Sequence, residues 1–236
     1  MKPLPWSHSS LEKFRNCPHA YHEIKVLQNF TDAQHESSIW GNWAHEQIEF
    51  HYGYKTQQPW HENMLPYVPH IEAALAWAGG VGYSPGTADV PCKLTMLEKR
   101  LALNTKIKPC EWEDPDVWGR GIVDALIING PVAYVIDWKT GKVKPDSEQL
   151  KLFALLVFYH YPWVTECHTS FEWLQHGKNT RERYFLLNVH DMWRSYMPKL
   201  TEYKTAFKTD TWQKRPSGLC NGWCAVENCI HWKPKR

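Results

Sequence analysis

An α/β fold is expected, with a mixed central β-sheet flanked by helices, an N-terminal helical region and a C-terminal cysteine-rich segment. Three observations predict it. The runs Ile122-Val123-Asp124-Ala125-Leu126-Ile127-Ile128 and Val132-Ala133-Tyr134-Val135-Ile136 read as buried strands, and Asn129-Gly130 between them is a strong two-residue hairpin signal. Segments with apolar residues at helical spacing lie on both sides of this pair. Finally, Cys220, Cys224 and Cys229 crowd into ten residues near the C-terminus.

Taken in order, residues 10 to about 26 read as a short helix with a serine cap. Residues 37 to about 52 read as an amphipathic helix with Trp40, Trp43, Ala44 and Ile48 on one stripe. A third helix, about 69–78, is stopped by Gly79-Gly80, and the Gly/Pro-rich stretch 81–91 reads as a loop. A strand over about 93–103 precedes the hairpin. Asp146-Ser147-Glu148-Gln149 opens a strongly apolar helix that runs to about 159 and ends at Pro162; Asp146 and Gln149 have the spacing of a capping box. Strands at about 168–174 and 183–187 and a helix over about 191–206 complete the pattern. No internal repeat or low-complexity tract is present. One domain over 1–236 is expected, with a helical region 1–80, a core 93–190 and a tail 217–236.

The hairpin carries the chemistry. If Asn129-Gly130 is the whole loop, Asp124 lies opposite Val135, and Asp124, Asp137 and Lys139 project from one face with the acids as diagonal neighbours about 7–8 Å apart. Two acids and a lysine on a buried hairpin cost desolvation free energy unless something neutralises them. A divalent metal between the acids does so; a plain surface ion pair is the competing reading. Gly119-Arg120-Gly121 lets a backbone or ligand come close just before the first strand.

Composition bounds the rest. A chain of 236 residues suffices for one α/β domain with a sizeable core. Its formal net charge of +2 and pI near 8.1 announce no global field for nucleic acid, so a local groove would have to supply one. Without a long apolar run or an apolar leader, a soluble cytoplasmic protein with no membrane partner is expected, in the host cytoplasm if viral. Seven cysteines in a reducing compartment point to metal ligation more than to disulfides. Of these, Cys92, Cys110 and Cys167 read as packed thiols. Cys220, Cys224 and Cys229 need a fourth ligand. His231 is the local candidate and gives a structural zinc site; Cys17 is the distant one and gives four thiolates for a [4Fe–4S] cluster. Fourteen tryptophans read mainly as core and rim, with some available to stack on unpaired bases.

Gly121-x-x-Asp124, Asp137-x-Lys139-Thr-Gly and Gln149-Leu150 at a helix start together resemble the PD-(D/E)XK nuclease superfamily in its RecB-like and AddB-like exonuclease branch, which includes many phage exonucleases. Trp40-Gly41-Asn42-Trp43-Ala44-His45-Glu46, the opening Ser9-Ser10-Leu11-Glu12-Lys13-Phe14-Arg15-Asn16-Cys17-Pro18 and Cys220-x3-Cys224-x4-Cys229 match its other motifs in the same order. The resemblance implies a restriction-endonuclease-like core. It implies that Asp124, Asp137 and His45 hold Mg²⁺ or Mn²⁺ together with the backbone carbonyl of Trp138, and that Glu98 matches an acid some relatives carry. Lys139 would orient the attacking water or offset phosphate charge, and Gln149 would position the lysine or the nucleic-acid backbone. Gly41, four residues before His45, would leave room beside the imidazole for a metal or phosphate. The family places a tyrosine four residues after the glutamine, where this chain has Phe153. The resemblance favours Cys17 as fourth ligand of an iron–sulfur clasp that closes the tail on the N-terminus. Arg120, Lys142, Lys144 and Lys151 surround the motif and could hold phosphates.

The expectation is a metal-dependent DNA nuclease, an exonuclease of recombination, repair or phage DNA metabolism, acting on single strands or duplex ends alongside recombination or replication proteins. The alternative is a non-catalytic nucleic-acid-binding module with a structural metal clasp.

Overall fold

Six strands form one mixed sheet in the order β2-β1-β3-β4-β5-β6: β1 (Lys93–Asn104), β2 (Pro109–Cys110), β3 (Val117–Asn129), β4 (Val132–Lys139), β5 (Glu166–Trp173) and β6 (Lys178–Phe185). All neighbours are antiparallel except β4 and β5, whose parallel pairing requires a crossover, here made by a helix over Glu148–His160. This computed structural model describes residues 2–32, 36–53, 58–86, 92–144 and 148–234. The helices are α1 (His8–Asn16), α2 (Pro18–Tyr21), α3 (Glu36–Tyr52), α4 (Val68–Trp77), α5 (the crossover Glu148–His160) and α6 (Val189–Thr209). The chain divides into two units, one of Met1–His35 with Trp193–Arg236 and one of Glu36–Met192. No helix among the described residues is long and apolar enough to cross a membrane.

The contiguous unit holds the sheet. On one face α3 and α4 pack through Ala44, Ile48, Ile71, Ala74 and Leu75 against Ala125, Ile127, Ile136 and Trp138. On the other, α5 lays Leu150 against Phe171 and Trp173. Every residue from Leu152 to Phe158 of α5 is buried, as in a helix covered beyond its sheet-facing side.

The hairpin register differs from the expected one. Asn129 pairs with Val132 as the last strand residue, and the two-residue loop is Gly130-Pro131. Gly130 supplies a positive φ of 59° at the first loop position. With Asn129-Gly130 as the loop, Pro131 would have stood in the ladder without an N–H to donate. The shift is two residues in total, so side-chain faces are preserved, and Asp124 comes opposite Asp137 rather than Val135.

Other boundaries moved for identifiable reasons. The first expected helix is broken at Cys17, which is extended (φ −160°, ψ 103°) because the residue before a proline avoids the helical region. Its cap is Ser7, in a capping box with Ser10. The Asp146 cap lies outside the described residues. The last strand begins at Lys178, well before 183, since left-handed Gly177 (φ 57°) ends the preceding turn and starts a charged edge strand with little apolar pattern.

The second unit joins the two ends of the chain. The Tyr203 hydroxyl lies 2.7 Å from that of Tyr21 and donates to the Leu4 carbonyl at 3.1 Å. Phe14 meets Tyr203 edge-on, His22 stacks on Trp212, and Arg215 donates to the Arg15 carbonyl.

Candidate metal centre and cysteine group

The alternation of β1 and β3 inverts where the acids stand. Gly121 faces Phe153 and Leu156 of α5, whereas Ala125 and Ile127, also odd-numbered, pack against α3 and α4. A strand of constant pleat cannot do both. In β1 the inversion falls at Glu98, whose φ of +46° is left-handed and costly for a residue with a Cβ. Leu97 and Lys99 pair regularly with Ala125 and Val123, but Glu98 and Asp124 between them do not. The ladder of β3 with β4 stops at Ala125 and Ile136, one step before Asp124 and Asp137. Glu98, Asp124 and Asp137 therefore form a row across three strands at a gap in the sheet. The Asp124 carboxylate fills part of that gap by accepting the Trp138 N–H at 2.8 Å.

His45 reaches this row from α3. Its Nε2 lies 2.9 Å from the Trp138 carbonyl, which fixes the ring, and Nδ1 faces Asp124 Oδ2 at 3.4 Å and Glu98 Oε1 at 4.0 Å. Donor atoms of His45, Glu98 and Asp124 all lie within 4.8 Å of one another. With Nε2–H donating to the carbonyl, Nδ1 is turned toward the carboxylates, and once it loses its proton its lone pair faces them, the arrangement by which a backbone carbonyl orients a metal-binding imidazole.

Lys139 and Gln149 complete the centre. The Lys139 ammonium pairs with Asp137 Oδ2 and donates to Gln149 Oε1 at 3.0 Å. Gln149 Nε2 donates to Asp137 Oδ1 at 3.1 Å. Asp137 Oδ2 is buried and accepts no well-aligned hydrogen bond, only the ion pair. Phe153 packs in the core with Gly121 beside it.

The electrostatics follow from burial and crowding. Asp137 is 2% exposed, and burial together with the Asp124 charge raises its carboxyl above the usual range against the pull of Lys139. Burial, then Asp124, then Glu49 and Asp137 raise Glu98 to about 7, partly offset by His45. Burial alone would lower His45, but Asp124, Asp137 and Glu98 outweigh it and raise the imidazole to about 9. Without a metal, His45 is therefore a cation near neutral pH, set among the carboxylates of the row. Oxygen-rich donors with one imidazole, and a buried carboxylate oxygen without a hydrogen bond, fit Mg²⁺ or Mn²⁺.

Of the residues named from sequence, His45, Glu98, Asp124, the Trp138 carbonyl, Asp137, Lys139 and Gln149 meet at this centre. The expectation for Gly41 is corrected: the space its missing Cβ leaves is taken by Thr140, whose Oγ1 would stand 2.8 Å from that atom. Lys142 and Lys144 are exposed in the segment after β4, Lys151 lies on α5, and Arg120 lies over Trp112. Sequence reasoning missed the left-handed Glu98, for which a glutamate in a strand gives no signal.

In the other unit, burial and then the neighbouring Cys17, Cys220 and Cys229 raise the Cys224 thiol, so all four cysteines share one neighbourhood. Cys17 Sγ accepts the Ala20 and Arg215 amides at 3.5 Å each. The tail is folded on itself by Lys233 N–H to the Cys220 carbonyl and Trp232 Nε1–H to the Cys224 carbonyl. Cys92, Cys110 and Cys167 carry free thiols, and only Cys167 is fully buried.

A family model described as the PD-(D/E)XK nuclease superfamily matches residues 5–229. None of the curated proteins matches the chain. Among solved structures, the chain resembles SSO0001 at 11% identity (TM-score 0.39, covering 98% of this chain and 86% of that one). It also resembles a Eubacterium rectale protein named "Putative exonuclease" at 12% identity (TM-score 0.45, covering 98% and 91%).

Proposed function

Since the chain belongs to the PD-(D/E)XK nuclease superfamily, whose members use divalent metals, we propose that it is a Mg²⁺- or Mn²⁺-dependent DNA exonuclease of the RecB-like branch. The observation that carries the proposal is the row Glu98–Asp124–Asp137 at the sheet gap, closed by His45 on one side and Lys139 on the other. Asp124, Asp137 and His45 would hold the metal, with the Trp138 carbonyl and Glu98 beside them. When bound, it supplies charge neutralisation for the phosphate and a water more readily deprotonated.

The chain's own groups do the rest. Lys139 is a cation close to where phosphate charge would grow, and Gln149 keeps its ammonium in place by accepting from it while anchored on Asp137. With Asp137 holding a metal, Lys139 would face the attacking water or the phosphate. The Trp138 carbonyl holds the His45 ring so that Nδ1, not Nε2, is presented to the metal side. We read the whole chain as one nuclease domain with its tail closing on the N-terminus. The neighbourhood shared by Cys17, Cys220, Cys224 and Cys229 offers four thiolates without His231, which supports a [4Fe–4S] clasp over a zinc site completed by that histidine.

Labelled single- and double-stranded DNA incubated with Mg²⁺ or Mn²⁺ tests the proposal. The protein should release nucleotides from ends, and Asp124→Ala, Asp137→Ala and Lys139→Ala should each abolish release while remaining folded. Full activity in either acid variant would remove the metal-centre assignment.

A further inference from the structure

The part of β1 and β3 beyond the acidic row carries a second constellation, on the face turned away from α5. Arg100 pairs with Ile122 and Ala102 with Arg120, so the two arginines are diagonal neighbours on one face. Trp112, from the segment between β2 and β3, lies against both: the Arg120 guanidinium is 4.6 Å from its ring centroid and that of Arg100 is 5.5 Å. These are cation–π distances. Among the described residues neither guanidinium has a carboxylate partner. Beside them Ile122 is 38% exposed, in the middle of a strand whose other residues are mostly buried.

Two cations without a direct ion-pair partner among the described residues, an indole and an open apolar side chain do not stabilise this sheet face against water. They match what an unpaired strand offers, phosphates and bare base faces. Position ties them to the centre described above. Arg100 is two residues from Glu98 and Ile122 two from Asp124, about 7 Å along a strand; Arg120 is four from Asp124, about 13 Å. We propose that Arg100, Trp112, Arg120 and Ile122 form a platform for single-stranded DNA, holding the nucleotides next to the scissile phosphate. The proposal rests on the nuclease reading of the acidic row and names its substrate class. In a duplex the base faces are already stacked on one another, so an indole face gains a partner only from an unpaired base. The acidic residues Glu111, Glu113, Asp114 and Asp116 flank Trp112 in the chain. They repel phosphates there, which sets the outer end of the track and leaves its course toward Asp124.

The test is equilibrium binding by fluorescence anisotropy of a labelled oligothymidine and of a duplex of equal length. It is run with Mg²⁺ in the full-length Asp137→Ala protein. Trp112→Ala should weaken single-strand binding about tenfold, the loss expected of one stacked base, and change duplex binding less than twofold. Trp112→Phe should restore most of it, which separates stacking from misfolding. Arg100→Ala/Arg120→Ala should lower the slope of log K against log salt by about 1.4, two phosphate contacts on a single strand. The platform is overturned if the parent does not bind the single strand, if Trp112→Ala binds it as well as the parent, or if duplex and single strand lose equally. Cleavage persisting in the Asp137→Ala protein would count against the metal-centre reading alone, since the binding comparison does not depend on it.

Discussion

Replacing Glu98 by glutamine tests whether the acidic row strains the protein when no metal is present. Glu98 rises from an ordinary 4.5 to about 7, chiefly through burial and then through the Asp124 charge. A raised carboxyl binds its proton more tightly folded than unfolded. The contribution of Glu98 to stability is therefore most favourable below about 4.5 and falls as pH climbs to about 7, after which it is level. The shift corresponds to about 3 kcal/mol. Because 32% of the side chain is exposed, screening reduces the expected loss to about 2 kcal/mol. Glutamine keeps the shape and cannot ionise. Urea titrations in EDTA at pH 5 and pH 8 should therefore show Glu98→Gln gaining about 2 kcal/mol on the parent between the two. Excess Mg²⁺ at pH 8 should restore the parent more than the variant. A difference that stays constant with pH, or shrinks as pH rises, would refute the account of crowded carboxylates.

Three further outcomes are expected. Gly41→Ala should leave stability nearly unchanged, since alanine favours the helix by about 1 kcal/mol while its Cβ crowds Thr140. Metal affinity measured by calorimetry should nevertheless fall several-fold, because His45 sits one turn on, and Thr140→Ala should restore it. Gln149→Leu should reduce cleavage of labelled DNA about 10–100-fold, the scale of a misplaced catalytic group, while metal affinity changes far less; equal losses in both would mean that Gln149 serves only Asp137. Protein prepared without oxygen should be brown with broad visible absorption, and Cys17→Ser should bleach and destabilise it. Colourless protein with one zinc per chain, sensitive to His231→Ala but not to Cys17→Ser, would establish the zinc alternative.

What was legible in the sequence was the part governed by local pattern. The helix over 37–52 and the strand over 93–103 fall within a residue or so of α3 and β1, because amphipathic spacing and flanking breakers are read directly from neighbours in the chain. Asp124, Asp137 and Lys139 were placed on one side despite a wrong loop, since an error of two residues keeps parity. The inverted pleat was not legible. It depends on Glu98 taking a backbone conformation that nothing in Leu97-Glu98-Lys99 favours locally, stabilised only by what surrounds it. The break at Cys17-Pro18 was readable from the proline and was passed over. Arg100 and Trp112 could have been found from their positions around Arg120 only once the register of β1 on β3 was known.

The division of the chain bears on how it is made. Glu36–Met192 is one continuous stretch, so as the polypeptide emerges during synthesis every partner it needs is already present. The segment Met1–His35 emerges before it but packs with residues from Trp193 onward, and contacts such as Tyr21–Tyr203 span 182 positions. Domains tend to fold as units in the order they appear, and long-range closures come late. Helices α1 and α2 must therefore wait, with Phe14 and Tyr21 exposed, until the residues from Trp193 onward have been made. A chain cut short before α6 would retain the sheet and its acidic row but leave its leading residues without a partner.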